Sequence, residues 1–92
     1  MDREIDRVVI VAGSAGSLPF AVDLTPRDVV LTGELRHHDM LTIVRRGCSA
    51  VLLGHWASER AVLTPLAAKL KERLPALIYT LSAADQEPAA GL

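Results

Sequence analysis

The sequence predicts an α/β domain: a mainly parallel, four-stranded sheet with helices packed against it. Three observations point there. Short, continuous aliphatic runs recur along the chain, and the first three end at glycine, as buried parallel strands do. Segments of helical periodicity separate the later runs, which parallel neighbours require because they need crossover connections. Finally, half of the 92 residues are hydrophobic while Trp, Tyr and Phe occur once each, so the core is aliphatic.

The first strand is expected over Arg7 to Ala12, where β-branched residues run into the loop Gly13-Ser14-Ala15-Gly16-Ser17. Such a run reads as a strand buried on both faces. Pro19 and Pro26 limit any helix between residues 18 and 27 to a short one. Val29 to Leu31 forms the second strand, closed by Thr32-Gly33. From Glu34 to Arg46, Leu35, Met40, Ile43 and Val44 fall at helical spacing, and Arg45-Arg46-Gly47 supplies basic residues and then a glycine terminator. Ala50 to Leu53 is the third strand, bounded by Gly54. A long helix is expected from about Ala57 to Leu74, with Pro65 kinking it early or delaying its regular part. Leu77 to Leu81 supplies the fourth strand, and the tail from Ser82 reads as loose. One domain over residues 1–92 accommodates all of this.

The charge pattern narrows the function. A formal net charge of −1, with basic residues scattered along the chain, leaves no electrostatic footprint for nucleic acid. No apolar run approaches the ~20 residues of a membrane-spanning helix, and Met1-Asp2-Arg3-Glu4 is too charged for a signal peptide. A cytoplasmic location is the expectation. Cys48 is the single cysteine, which excludes an intrachain disulfide and a thiolate metal cage, and its place beside the third strand suits a buried thiol.

Three constellations carry chemical potential. His55 and Glu59 lie four apart where the third strand hands over to the long helix, so a helical turn projects both from one face. Imidazole and carboxylate suit a divalent transition metal, and strand ends in such sheets gather ligand sites. The same spacing also suits a capping or salt-bridging surface pair. Thr32-Gly33-Glu34-Leu35-Arg36-His37-His38-Asp39 begins at another strand end and faces the same sheet edge. Adjacent His37 and His38 diverge by about 100° on a helix and do not share one ion, and a polar helix start reads equally well there. The loop bearing Gly13, Ser14 and Gly16 offers backbone N–H groups to an anion, or is simply a turn, since it lacks a phosphate-loop lysine and a full dinucleotide fingerprint. Ser14, Ser17 and Ser58 lack the context of a nucleophile elbow.

Taken in order, the strand into Gly13-Ser14-Ala15-Gly16, Thr32-Gly33-Glu34 with His38-Asp39, Gly54-His55 with Ser58-Glu59-Arg60, and the closing Ser82, Asp85 and Pro88 resemble the C-terminal half of the Nif-three-like dinuclear-metal family, also labelled GTP cyclohydrolase I type 2 homologues. The resemblance covers nearly the whole chain. It implies a domain equal to one half of that fold, with His55 and Glu59 as metal ligands and His38 in an outer or proton-transfer role; in a hydrolase, His38 or Glu34 would handle protons. The N-terminal half, which in the family supplies a paired-histidine segment and an aspartate, has no counterpart here.

Two ligands do not fill the four to six positions that Zn, Fe or Mn prefers. A second copy or another chain is therefore expected to complete a site of one or two ions. Two functional expectations follow. One is a metal-dependent hydrolase acting on a small-molecule or nucleotide-like substrate through His55 and Glu59. The other is a non-catalytic oligomeric assembly module that keeps the fold without a working centre.

Overall fold

The computed structural model describes residues 3–88. Its sheet has three strands, β1 (Arg7–Ser14), β2 (Asp28–Glu34) and β3 (Ser49–Leu52), in the spatial order β1-β2-β3. Both pairings are parallel. Val8 to Val11 lie opposite Val29 to Thr32, and Val29 to Thr32 opposite Ser49 to Leu52. The β1–β2 register shifts between Val11 and Ser14, so β1 leaves the ladder irregularly as it enters the glycine loop.

The connections follow local chemistry. A short 3-10 turn, Leu18–Ala21, carries Pro19 in its first turn, where a missing N–H costs nothing. Helix α1 (His37–Arg45) joins β2 to β3. It ends at Gly47, whose φ of 75° is readily available only to glycine. There the Gly47 N–H donates to Val44 O at 3.0 Å and the Cys48 N–H to Ile43 O at 3.2 Å. These two bonds satisfy the last carbonyls of the helix and turn the chain directly into β3.

The core lies between one face of the sheet and α1. Ala15, Leu24, Val30, Leu35, Ile43 and Cys48 are buried there, with Val9, Val11, Phe20 and Met40 packed against them. Cys48 is the buried thiol its sequence position suggests, donating to Thr25 O at 3.2 Å. Burial pushes its pKa up, aided by the Asp28 charge. Alternation along the strands turns Val8, Ile10 and Val51 to the opposite face, where Ile10 is 71% exposed. The double burial expected for the first strand is therefore not met: the apolar run is continuous, but only one of its faces is covered.

At the N-terminal end of the sheet, Arg7 forks onto Asp28 at 2.6 and 3.0 Å, and Asp28 also accepts the Thr25 N–H at 2.8 Å. Alongside, Arg27 pairs with Asp6 and Glu4. These pairs fix the start of β1 against β2, at the end of the strands away from the glycine loop.

The chain divides into two compact units, Met1–Glu59 and Arg60–Leu92. The first contains the sheet. The second contains α3 (Leu63–Arg73); α2 (His55–Arg60) is a separate, shorter helix ahead of it, so the single long helix expected from Ala57 to Leu74 is two helices. Pro65 is the reason: it sits in the first turn of α3, so regular helix restarts just before it rather than running through it. The expected fourth strand is also absent: among the described residues, Leu77 to Leu81 joins no strand. Instead, the Tyr79 hydroxyl is shared between Leu74 O at 2.7 Å and Leu70 O at 3.0 Å, closing the end of α3. The Arg60–Asp85 ion pair, at 3.1 Å, holds the tail to the start of this unit. No helix among the described residues is long and apolar enough to cross a membrane.

Candidate metal centre

The site forms where the C-terminal ends of the three strands meet. The β2–β3 ladder extends past the strand itself, because the Leu53 N–H donates to Thr32 O and the Gly54 N–H to Gly33 O, both at 2.9 Å. Gly54 then takes φ of 90° and the chain turns at once into α2. That turn places His55 on the first helical residue, beside the end of β2, and Glu59 one turn further on the same face.

His55 is held at both ring nitrogens. Its Nδ1 lies 2.8 Å from Glu34 Oε1 and its Nε2 3.1 Å from Glu59 Oε1. About half of each of the three side chains remains exposed, so the cluster is open to ligands. The Glu34 carboxylate, and then Glu59, hold the imidazole pKa above its ordinary value. With a carboxylate at each nitrogen, the protonated ring can donate from both.

Among the described residues, no group of three or more His, Cys, Asp and Glu side chains is arranged to hold one ion. The geometry explains this. Glu34 and Glu59 bond opposite nitrogens of one ring, so an ion on Nε2 is within reach of Glu59 but not of Glu34. What the chain presents is a two-ligand pair plus an outer carboxylate. The pair itself fits an ion. Imidazole nitrogen and carboxylate oxygen each lie about 2.0–2.2 Å from zinc, so two such ligands stand about 2.8–3.1 Å apart at octahedral angles and about 3.3–3.6 Å apart at tetrahedral ones. The observed 3.1 Å lies at the upper end of the octahedral span.

The remaining sequence candidates separate into two groups. The glycine loop comes to the site: a Cβ on Gly13 would collide with Glu59 Oε1 and stand 3.2 Å from His55 Nε2. Its N–H, however, already donates to Ser58 Oγ at 2.8 Å. Gly16 has open space around it and φ of 57°, and Ser14 ends β1 opposite Glu34. His38 sits in the first turn of α1, its ring 5.8 Å from that of His37 in an edge-on contact.

Two residues gain a role that sequence reasoning did not give them. Ser58 bridges Gly13 to α2, donating its own proton to His55 O at 2.9 Å. Gly33 packs so closely that a Cβ there would collide with Gly13 O, and would meet Ser58 Oγ at 2.5 Å and Gly54 O at 3.0 Å. The available signal was weak: a serine three residues after His55, and a glycine inside a strand, which marks a close backbone approach.

Comparison with known proteins identifies the family. The family model for Duf34/NIF3 (NGG1p interacting factor 3) matches residues 1–88. A Schizosaccharomyces pombe protein named Protein NIF3 homolog is 40% identical over 63 residues, 68% of this chain and 22% of its own length. Human NIF3-like protein 1 is 33% identical over 89 residues, covering 96% of this chain and 23% of that protein. A Campylobacter jejuni protein named GTP cyclohydrolase 1 type 2 homolog is 35% identical over 80 residues, 87% of this chain and 32% of its own length. No solved structure gives a significant match. The chain thus spans between about a fifth and a third of the length of these relatives. With the family model covering all but its last four residues, this chain belongs to the Duf34/NIF3 family.

Proposed function

We propose that this chain is a divalent-metal-binding domain, with His55 Nε2 and the Glu59 carboxylate as its ligands, contributing to a metal-dependent hydrolase site that another chain or copy completes. The observation that carries this reading is the His55–Glu59 pair itself: two donor atoms 3.1 Å apart, with the far nitrogen of the ring anchored on Glu34. Relatives in Campylobacter jejuni and Pyrococcus horikoshii bear the name GTP cyclohydrolase 1 type 2 homolog, which supports hydrolysis of a nucleotide-like substrate as the chemistry.

Zinc, iron or manganese suits this N,O donor pair, and such an ion supplies Lewis acidity and a lowered pKa for bound water. The protein's own groups do the rest. Glu34 accepts the Nδ1 proton, which leaves Nε2 as the ligating nitrogen and strengthens its basicity. Glu59 balances positive charge. Gly13, lacking a side chain, keeps the space beside both ligand atoms clear, and the loop of Ser14 and Gly16 that follows it is the proposed ligand-binding loop. His38, exposed on α1, is the proposed proton-transfer group.

Metal analysis of the purified chain after exposure to zinc or manganese tests the reading. Stoichiometric metal that disappears in the doubly substituted H55A/E59A protein supports it; no bound metal, or uptake unchanged in that variant, refutes it.

The second reading, a non-catalytic assembly module, has its own supporting observation. Val8, Ile10 and Ile78 are 53%, 71% and 94% exposed, an unusual display of aliphatic surface for so small a chain. Sedimentation across a wide concentration range decides its central element. Self-association supports it, and a strictly monomeric, folded chain counts against it.

A further inference from the structure

We infer that Ser58 is a positioning residue for the metal pair: its hydroxyl ties the end of β1 to the first turn of α2 and thereby sets the separation of His55 Nε2 and Glu59 Oε1. The inference rests on the metal-ligand reading of those two residues.

The need for such a tie follows from the length of α2. Six residues, His55–Arg60, make a helix with little intrinsic stability, and both ligands stand on it. Something outside the helix must hold its first turn. Ser58 is placed to do so, one residue before Glu59 and three after His55. Its Oγ accepts the Gly13 N–H at 2.8 Å and donates to His55 O at 2.9 Å, so one hydroxyl uses both its donor and its acceptor capacity. The Gly33 backbone closes on the same oxygen: a Cβ at Gly33 would lie 2.5 Å from it. The ends of β1 and β2 and the start of α2 therefore meet at a single side-chain atom.

The tie reaches the ligand atoms through Gly13. That residue lies directly beneath them, since a Cβ on it would collide with Glu59 Oε1 and stand 3.2 Å from His55 Nε2. Removing the hydroxyl leaves the Gly13 N–H without its acceptor and frees the His55 carbonyl from its donor. The glycine loop and the first turn of α2 can then move apart, and the ligand pair loses its fixed separation. Outer partners that orient metal ligands typically contribute about 10–100-fold in affinity. A loss within that range is expected here.

The experiment is a Co2+ titration of the purified chain and its Ser58 variants, reading both affinity and the visible ligand-field spectrum, with thermal unfolding measured in parallel. Ser58→Ala is expected to bind Co2+ about 10–100-fold more weakly with an altered spectrum. Ser58→Thr, which keeps the hydroxyl, is expected to restore both. Should Ser58→Ala fail to fold, Ser58→Cys carries the comparison, because a thiol is a weak donor and a weak acceptor. A merely structural role would lower the melting temperature while leaving affinity and spectrum at their wild-type values, and that result overturns the inference. Equal losses in Ser58→Thr and Ser58→Ala overturn it as well. Wild-type protein that takes up no Co2+ refutes the metal-ligand reading and this inference together, whereas wild-type binding with an unchanged Ser58→Ala refutes this inference alone.

Discussion

Replacing Gly33 by alanine adds one methyl group at the most crowded backbone position beside the site. Its Cβ would collide with Gly13 O and stand 2.5 Å from Ser58 Oγ and 3.0 Å from Gly54 O. Two of these three neighbours are backbone carbonyls, fixed by the ends of β1 and β3, so no side-chain rotation relieves the contact. Gly33 is not among the glycines with positive φ, and the penalty is therefore steric. Overpacking of this kind costs about 1–3 kcal/mol, and the rigid neighbours put this case at the upper end. A chain of this size is stable by roughly 5–14 kcal/mol at the usual 0.05–0.15 kcal/mol per residue. One added methyl thus removes a substantial share of the total. At about 4–8 °C per kcal/mol, the melting temperature should fall by roughly 12–24 °C.

Circular-dichroism melts of Gly33→Ala and Gly16→Ala make the comparison. A methyl group on Gly16 would have no heavy atom within 4 Å, but φ there is 57°, so its substitution tests backbone strain alone, about 1–2 kcal/mol. If Gly33→Ala melts no lower than Gly16→Ala, the convergence of three strand ends on Gly33 is wrong.

Two further outcomes follow from the same structure. The Arg7 guanidinium, with the Thr25 N–H, holds the Asp28 carboxyl below the usual carboxylate range. Because the folded value lies below the unfolded one, the stabilisation is complete above about pH 4 and is lost as pH falls through the folded value. Asp28→Asn should therefore melt below wild type near pH 7, and the gap should shrink in melts taken below about pH 4; a gap independent of pH contradicts the account. Ile43, buried on the inner face of α1, should lose about 2–4 kcal/mol on truncation to alanine in urea unfolding, while Ile78→Ala, at a position 94% exposed, should change stability by less than about 0.5 kcal/mol. Similar losses at both positions would contradict the assignment of the core.

Much of this was legible in the sequence because local chemistry carried it. Aliphatic runs ended by Gly13 and Gly54 gave the strands on either side of the site, and Gly47 gave the end of α1. The His55–Glu59 spacing gave a shared helical face, and the structure brings both side chains together. What failed depended on partners far along the chain. Leu77 to Leu81 has the pattern of a strand, but a strand exists only where an edge is available, and the Tyr79 hydroxyl holds this segment to the end of α3. The run Val8 to Val11 reads as buried on both faces, yet periodicity does not say whether anything covers the second face. Glu34 was a candidate for a proton-handling role, but its bond to Nδ1 follows from where β2 ends beside α2, which no local pattern encodes. The Ser58 bridge has no local signature for the same reason: the Gly13 N–H that its hydroxyl accepts lies 45 residues away.

The most direct test of the metal reading is long-range 1H–15N NMR of the His55 ring during a zinc titration. The Nε2 resonance is expected to move to the position of a metal-bound nitrogen while Nδ1 keeps its proton on Glu34. A ring whose two nitrogens do not respond to zinc, or in which Nδ1 is the nitrogen that binds, would contradict the assignment of His55 and Glu59 as the ligand pair.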